Sequence, residues 1–116
     1  MRAVALPPRK IAKSAKVDEG KRSPAHRKWV RGFACCACGS TTGIECAHVR
    51  RAANSGVSMK PSDAYTVSLC RDCHAESHRG EATFERKHGV DLMALARAFF
   101  ERSPHRSKLD NPWSAR

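Results

Sequence analysis

Carboxylates are scarce in this chain. Asp and Glu number 11 against 22 Lys and Arg, for a formal net charge of +11. That balance disfavours cationic ligands and favours a polyanionic partner. Nucleic acid leads, and an anionic membrane surface trails because no clear basic amphipathic helix is present. Aromatic residues are also few, 6% of the chain, so any core is thin. A chain of 116 residues suggests one domain, and a domain of this size often needs a staple. No run of about 18 apolar residues occurs, so no helix should span a membrane. The basic N-terminus is not followed by an apolar stretch, so no secretory signal is expected. A cytoplasmic location follows as the expectation. In a reducing compartment, paired cysteines hold metal more often than they form disulfides.

The chain divides by composition into a basic arm (1–22), a folded region (23–103) and a loose polar tail (104–116). Ser23-Pro24 is a helix start, with Ser as N-cap and Pro at the first helical position. Ala25, Trp29 and Phe33 then fall at i, i+4 and i+8. They predict an amphipathic helix with Arg27, Lys28 and Arg31 on its wet side. Residues 43–49 read as a short strand, 50–63 as a loop, and 65–69 as a second β-prone run. A helix is expected over 71–79, a helical turn or two over 81–88 ending at Gly89, and a last helix capped by Asp91. In that last helix Leu92, Leu95, Ala96 and Phe99 follow the helical apolar spacing. Phe99 and Phe100 cannot both face inward.

Cys35-x-x-Cys38-Gly39 and Cys70-x-x-Cys73 are the strongest local signal. Two intervening residues let one tight turn present both sulfurs to a single ion, and two such turns complete a tetrahedral shell. Gly39 permits the sharp backbone after the second sulfur. A structural Zn²⁺ held this way could contribute on the order of 10 kcal/mol to folding. Cys36 is an alternative to Cys35, though Cys35 keeps the two-residue spacing. Cys46 reads as a small buried residue. Such a ribbon signals a stapled fold and does not by itself signal an enzyme.

His74 directly follows Cys73, and His78 follows four residues later. On a helix that spacing puts both imidazoles on one face, able to grip one ion. His48 lies on the strand between the two cysteine pairs. Three further stretches accompany these residues: Ala47-His48-Val49-Arg50, Lys60-Pro61-Ser62-Asp63, and Leu69-Cys70-Arg71-Asp72-Cys73-His74. In this order and spacing, over roughly residues 23–100, the chain resembles the HNH endonucleases, and the small phage- and prophage-type members in particular. The resemblance implies an α+β fold: a small ββα-metal core with flanking helices and a structural zinc site held by the four paired cysteines. It implies that His48 is the general base, and that His74 and His78 bind a catalytic divalent cation (Mg²⁺, Mn²⁺, Ni²⁺ or Zn²⁺). Asp63, near the family's central Asn, should brace the loop by hydrogen bonds. Many members place a metal ligand directly before the base; here Ala47 stands there. Water could fill that gap, Glu45 could reach in from the same strand face, or His48 could itself be a ligand.

The chemistry suits these residue types. A phosphodiester is anionic and repels hydroxide, and a divalent cation offsets that charge. An ordinary imidazole titrates near neutral pH and can take a proton from water. Arg50 and Arg51 follow the His48 strand, Lys60 sits in the adjoining loop, and all three suit phosphate oxygens. The leading expectation is a metal-dependent endonuclease acting on DNA. A non-catalytic zinc-ribbon nucleic-acid-binding protein is the alternative, and an RNA or junction nuclease of the same superfamily comes third. His26, His88 and His105 are expected to be solvated. Because phosphate contacts release counterions, binding to a DNA fragment should weaken steeply from low to moderate salt. Anisotropy titrations across salt concentrations check this, and a flat response would exclude the electrostatic reading.

Overall fold

The computed structural model describes residues 20–52 and 61–113. Most of the basic arm, Lys60 with the adjoining loop residues 53–59, and residues 114–116 lie outside the described residues. Among the described residues four α-helices and one two-stranded sheet define an α+β fold. The order is α1 (Pro24–Val30), β1 (Ile44–His48), β2 (Thr66–Cys70), α2 (Arg71–His78), α3 (Glu81–His88) and α4 (Leu92–Arg102). No helix among these residues is long and apolar enough to cross a membrane.

β1 and β2 are antiparallel, with Ile44 opposite Cys70 and His48 opposite Thr66. Val49 N–H to Tyr65 C=O and Arg71 N–H to Gly43 C=O extend the ladder at its two ends. The outer edge of β2 is covered by the first cysteine turn: Cys36 N–H donates to Ser68 C=O, and Ser68 Oγ donates to Ala34 C=O. Strand alternation gives the sheet two different faces. Ala47, Val49, Val67 and Leu69 point to one, where they pack with Phe84, Leu92 and Ala96 as the main core. Cys46, His48, Thr66 and Ser68 point to the other, towards α1.

The helix ends follow local chemistry. Ser23 accepts from the His26 N–H and Asp91 from the Ala94 N–H, each satisfying an orphan donor of the first turn. Gly89 closes α3 in a left-handed conformation with φ 66°, its N–H bonded to Glu85 C=O.

The faces of α1 and α4 differ from those expected. α1 stops at Val30 and buries Ser23, His26 and Val30, while Ala25 and Phe33 are exposed. His26, expected to be solvated, is fully buried. Its Nδ1 lies 2.8 Å from Ser103 Oγ, and its Nε2 lies 3.4 Å from Thr66 Oγ1. Thr66 donates its own proton to Asp63 C=O, so it accepts from the Nε2–H of His26. Ser103 accepts from the His105 N–H and donates to His26 Nδ1. A neutral imidazole is thus fully satisfied, which offsets the cost of burying it. His88 is half-buried too, bonded to Glu76 and packed on Phe84. Arg27, placed on the wet side by periodicity, turns to Asp63 instead.

On α4 the buried residues are Leu92, Ala96 and Phe100, so Phe100 replaces Phe99 in the inward stripe. Phe99 leans on Trp29 and Phe33. The stretch from 104 to 113 is not a loose tail. It forms a short 3-10 turn at Arg106–Lys108, buries Leu109 with Phe100 and Ala64, and sets Trp113 against Tyr65. Asp110 N–H donates to Gly20 C=O, tying this segment to the start of α1.

Burial, the main cause, holds the His26 imidazole below its ordinary value of 6.5, with Asp63 opposing and His105 and Arg27 adding to the shift. Between the lowered folded value and the unfolded one, the unfolded chain binds more protons. Stability from this residue is therefore complete above about 6.5 and is lost as pH falls below it. Urea unfolding from about pH 7.5 to about pH 5 should show this decline, and His26→Gln should flatten it. An unchanged slope in the variant would remove His26 as the cause.

Candidate functional site

Two clusters of chemically able side chains flank the sheet. The first joins the cysteine turn at 35–38 to the β2–α2 junction. The ligand atoms of Cys35, Cys38, Cys70 and Cys73 all lie within 4.8 Å of one another. All four thiols are free, and Cys38 Sγ is 3.7 Å from Cys70 Sγ. That separation is far beyond a disulfide, about 2 Å. It matches the edge of a tetrahedron whose sulfurs sit roughly 2.3 Å from a central ion, roughly 3.8 Å. Backbone amides point at the sulfurs, from Ala37 and Cys38 to Cys35 and from Cys73 to Cys70. Burial pushes the Cys35 thiol up, but amide donors outweigh it and bring it down to about 6. Gly39, at φ 81°, makes the turn that returns the chain, with nothing within 4 Å of where a Cβ would stand. Its requirement is backbone conformation alone. The donor set fits a structural metal ion of thiophilic character. Cys36 faces Ser68 Oγ and stays outside this set, while Cys46 is half-buried, and desolvation pushes its thiol up to about 11.

The second cluster is built from β1, the 61–65 turn and α2. His48 Nε2 lies 2.8 Å from Asp63 Oδ1. Asp63 is fully buried. Burial alone would raise its carboxyl group, but hydrogen bonds from His48, the Ser23 N–H and Arg27 bring it down to about 2. An ionised carboxylate only accepts, so Nε2 of His48 carries the hydrogen and, in the neutral ring, Nδ1 keeps its lone pair. Asp63 does more than brace its loop: it fixes which nitrogen of His48 is basic. Its role as structural support, expected from sequence, therefore has a chemical side.

On the other face of β1, Glu45 Oε1 lies 2.7 Å from His74 Nδ1. The His74 and His78 rings meet edge to face, 4.8 Å between centroids, as the i, i+4 spacing requires. Burial, His74 and Arg50 hold His78 below its ordinary value. The bond to the Glu45 carboxylate puts a proton on Nδ1 of His74 and, in the neutral ring, leaves Nε2 with its lone pair, an arrangement also seen where carboxylates orient metal-binding histidines. Of the three ways to compensate Ala47, this geometry brings Glu45 to the histidines. Among the described residues, however, the four cysteines are the one group of three or more Cys, His, Asp or Glu whose ligand atoms converge within 4.8 Å. His48 is not drawn into the His74–His78 pair; it belongs to the α1 face.

The basic residues separate as well. Arg51, expected at the substrate, grips Glu85 with two bonds of 3.0 and 2.6 Å. The N–H groups of Arg50 and Arg51 donate to Glu81. These bonds dock the turn after β1 on α3, with the Arg50 side chain exposed near His78. Lys60 lies outside the described residues. The contributions of Arg27, Glu81 and Glu85 had no local signal, since their partners lie about 30 or more residues away in sequence.

Fold and side chains together define a small α+β protein with a four-cysteine cluster able to hold a structural metal ion and a histidine-rich strand–helix unit beside it. A family model described as "Protein of unknown function (DUF968)" matches residues 6–105, and the chain belongs to that family. No curated protein and no solved structure matches it.

Metal analysis of protein purified without chelator should find one thiolate-bound ion per chain. Cys70→Ser should abolish it and, since metal affinity is folding energy here, lower stability by several kcal/mol, on the order of 5. Full stability without any bound metal would show that the four thiols need no ion.

Proposed function

We propose that this protein is a metal-dependent endonuclease of the HNH type, hydrolysing phosphodiester bonds in DNA. The observation that carries the reading is the His48–Asp63 pair. A buried carboxylate fixes the tautomer of a strand histidine next to a helix bearing His74 and His78, in the strand–strand–helix order of ββα-metal nucleases. A substrate phosphate along the outer edge of β1 would meet His48 from one face and the α2 histidines from the other.

His74 and His78 would hold a divalent cation, with Glu45 orienting His74 through Nδ1. The cation, Mg²⁺, Mn²⁺, Ni²⁺ or Zn²⁺, supplies positive charge that offsets the charge on the phosphate and the leaving oxygen. His48 Nδ1 takes a proton from water as the water oxygen bonds to phosphorus. The P–O3′ bond breaks, and the 3′-oxygen takes a proton from solvent, leaving 3′-hydroxyl and 5′-phosphate ends. Asp63 stabilises the imidazolium that forms, with the Nε2–H held in place throughout. Arg50 offers its guanidinium to a phosphate oxygen, while Arg51 holds the turn that presents it. In the cysteine cluster a structural Zn²⁺ would fix the first turn of α2 and hence the direction of His74.

The convergence of the four cysteines, without a matching convergence of the three histidines, favours the second reading: a non-catalytic zinc-ribbon protein that binds nucleic acid. Supercoiled plasmid with Mg²⁺, Mn²⁺ or Ni²⁺ separates the two. Nicking should require the metal, stop with EDTA, and fall at least about 100-fold in His48→Ala, with DNA binding kept. Binding without nicking under every metal would decide for the ribbon.

A further inference from the structure

The end of α1 carries an aromatic cluster that the histidine site does not use. Phe33 is the one large hydrophobic residue left exposed among the described residues, at 43%. Its ring meets Trp29 edge to face at 4.8 Å and Phe99 of α4 at 5.2 Å. Trp29 and Phe99 also touch each other at 6.0 Å. The three rings therefore hold one another in fixed orientations, and Phe33 is presented outward instead of being folded away.

The stretch that carries Trp29 and Phe33 has charge of one sign. No Asp or Glu occurs from Gly20 through Ile44. Arg27 turns to Asp63, whereas Lys28 and Arg31 flank Trp29 and Phe33 in the chain, both exposed. On α4, Glu101 is taken up by Arg97 at 3.0 Å. A protein partner with an apolar knob would meet these cations without compensation. An anionic chain carrying flat, unstacked rings would satisfy both features. Bases stack on aromatic side chains without regard to sequence, and cations beside the rings track the backbone. In duplex DNA the base faces are already stacked on one another and cannot be offered to Phe33.

We infer that Phe33, set by Trp29 and Phe99 and flanked by Lys28 and Arg31, stacks on an unpaired base of a single-stranded nucleic-acid segment. This rests on the reading of the partner as nucleic acid and names the part of it that this surface takes. It does not depend on hydrolysis. The surface favours substrates with an unpaired stretch, such as flaps, gaps or branch points, over continuous duplex.

The full chain carrying His48→Ala, so that no substrate is consumed, is titrated against a fluorescent oligo-dT strand and a hairpin duplex of similar charge. Phe33→Ala, at an exposed position, should weaken oligo-dT binding about tenfold and change duplex binding less than about twofold. Trp113→Phe leaves Trp29 as the only tryptophan, and its emission should be quenched by oligo-dT and not by the duplex. Equal loss on both ligands, or none on either, overturns the inference. So does a shift from dimer to monomer in Phe33→Ala by sedimentation without change in oligo-dT binding, which would make the cluster a contact between copies. Plasmid nicking by wild-type protein, measured alongside, decides the nuclease reading separately. Nicking with Phe33→Ala binding oligo-dT normally sinks only the stacking surface, and oligo-dT selectivity without nicking sinks only the nuclease.

Discussion

A carboxylate with no access to solvent is the costliest group in this fold, and the arrangement around Asp63 follows from that cost. An isolated buried charge would take up a proton. Asp63 keeps its charge because partners from two segments arrive together: the Ser23 N–H at the start of α1, Arg27 one turn later, and His48 at the end of β1. Its own N–H is spent on Lys21 C=O. Each partner fixes one element. The Ser23 contact sets where α1 begins, Arg27 sets its rotation, and His48 sets the end of the strand. Removing the carboxylate would strand three donors in a protein with few other contacts to absorb the change.

The rotation of α1 explains most of what surrounds it. With Arg27 turned to Asp63, the neighbouring His26 faces Thr66 and Ser103 inside, and Trp29 is left at the margin. Trp29 then meets Phe33 and Phe99, so the aromatic edge is a consequence of the buried ion pair. The same rotation leaves Lys28 and Arg31 outside. A helix placed by apolar periodicity alone would have put Trp29 in the core and Arg27 in water.

This contrast marks what could be seen in the sequence. Features decided within four or five residues were legible. Ser23 and Asp91 cap helices as their types suggest, Gly89 stops α3, each Cys-x-x-Cys brings its own two sulfurs together, and His74 and His78 share a helix face. Features decided by distant partners were not. Nothing near His26 announces Ser103, 77 residues on, so a histidine in a basic stretch reads as solvated. Arg51 reads as a free cation until α3 brings Glu85 beside it. The tail looked polar because Leu109 and Trp113 are isolated in sequence, though each finds an apolar neighbour in space. For the histidine site, residue types and strand–helix order could be read, but which face of β1 each occupies follows from a pairing register that composition does not encode.

That register bears directly on the chemistry. β1 is five residues long, and its alternation separates Glu45 from His48 by the thickness of one strand. Glu45 serves the α2 histidines, and His48 is tied to the α1 face through Asp63. Under the proposed reading, His48 and the His74–His78 pair, set on opposite sides of a strand, could not exchange roles, since neither reaches the other's partners. The same alternation bears on Ala47. With a small residue on the α2 face, Glu45 is free to lean on His74 without crowding, and the strand keeps its close approach to Val67 and Leu69. The position that cannot coordinate is thus the one that lets the core close beneath the site, and orienting His74 falls to the carboxylate two residues earlier.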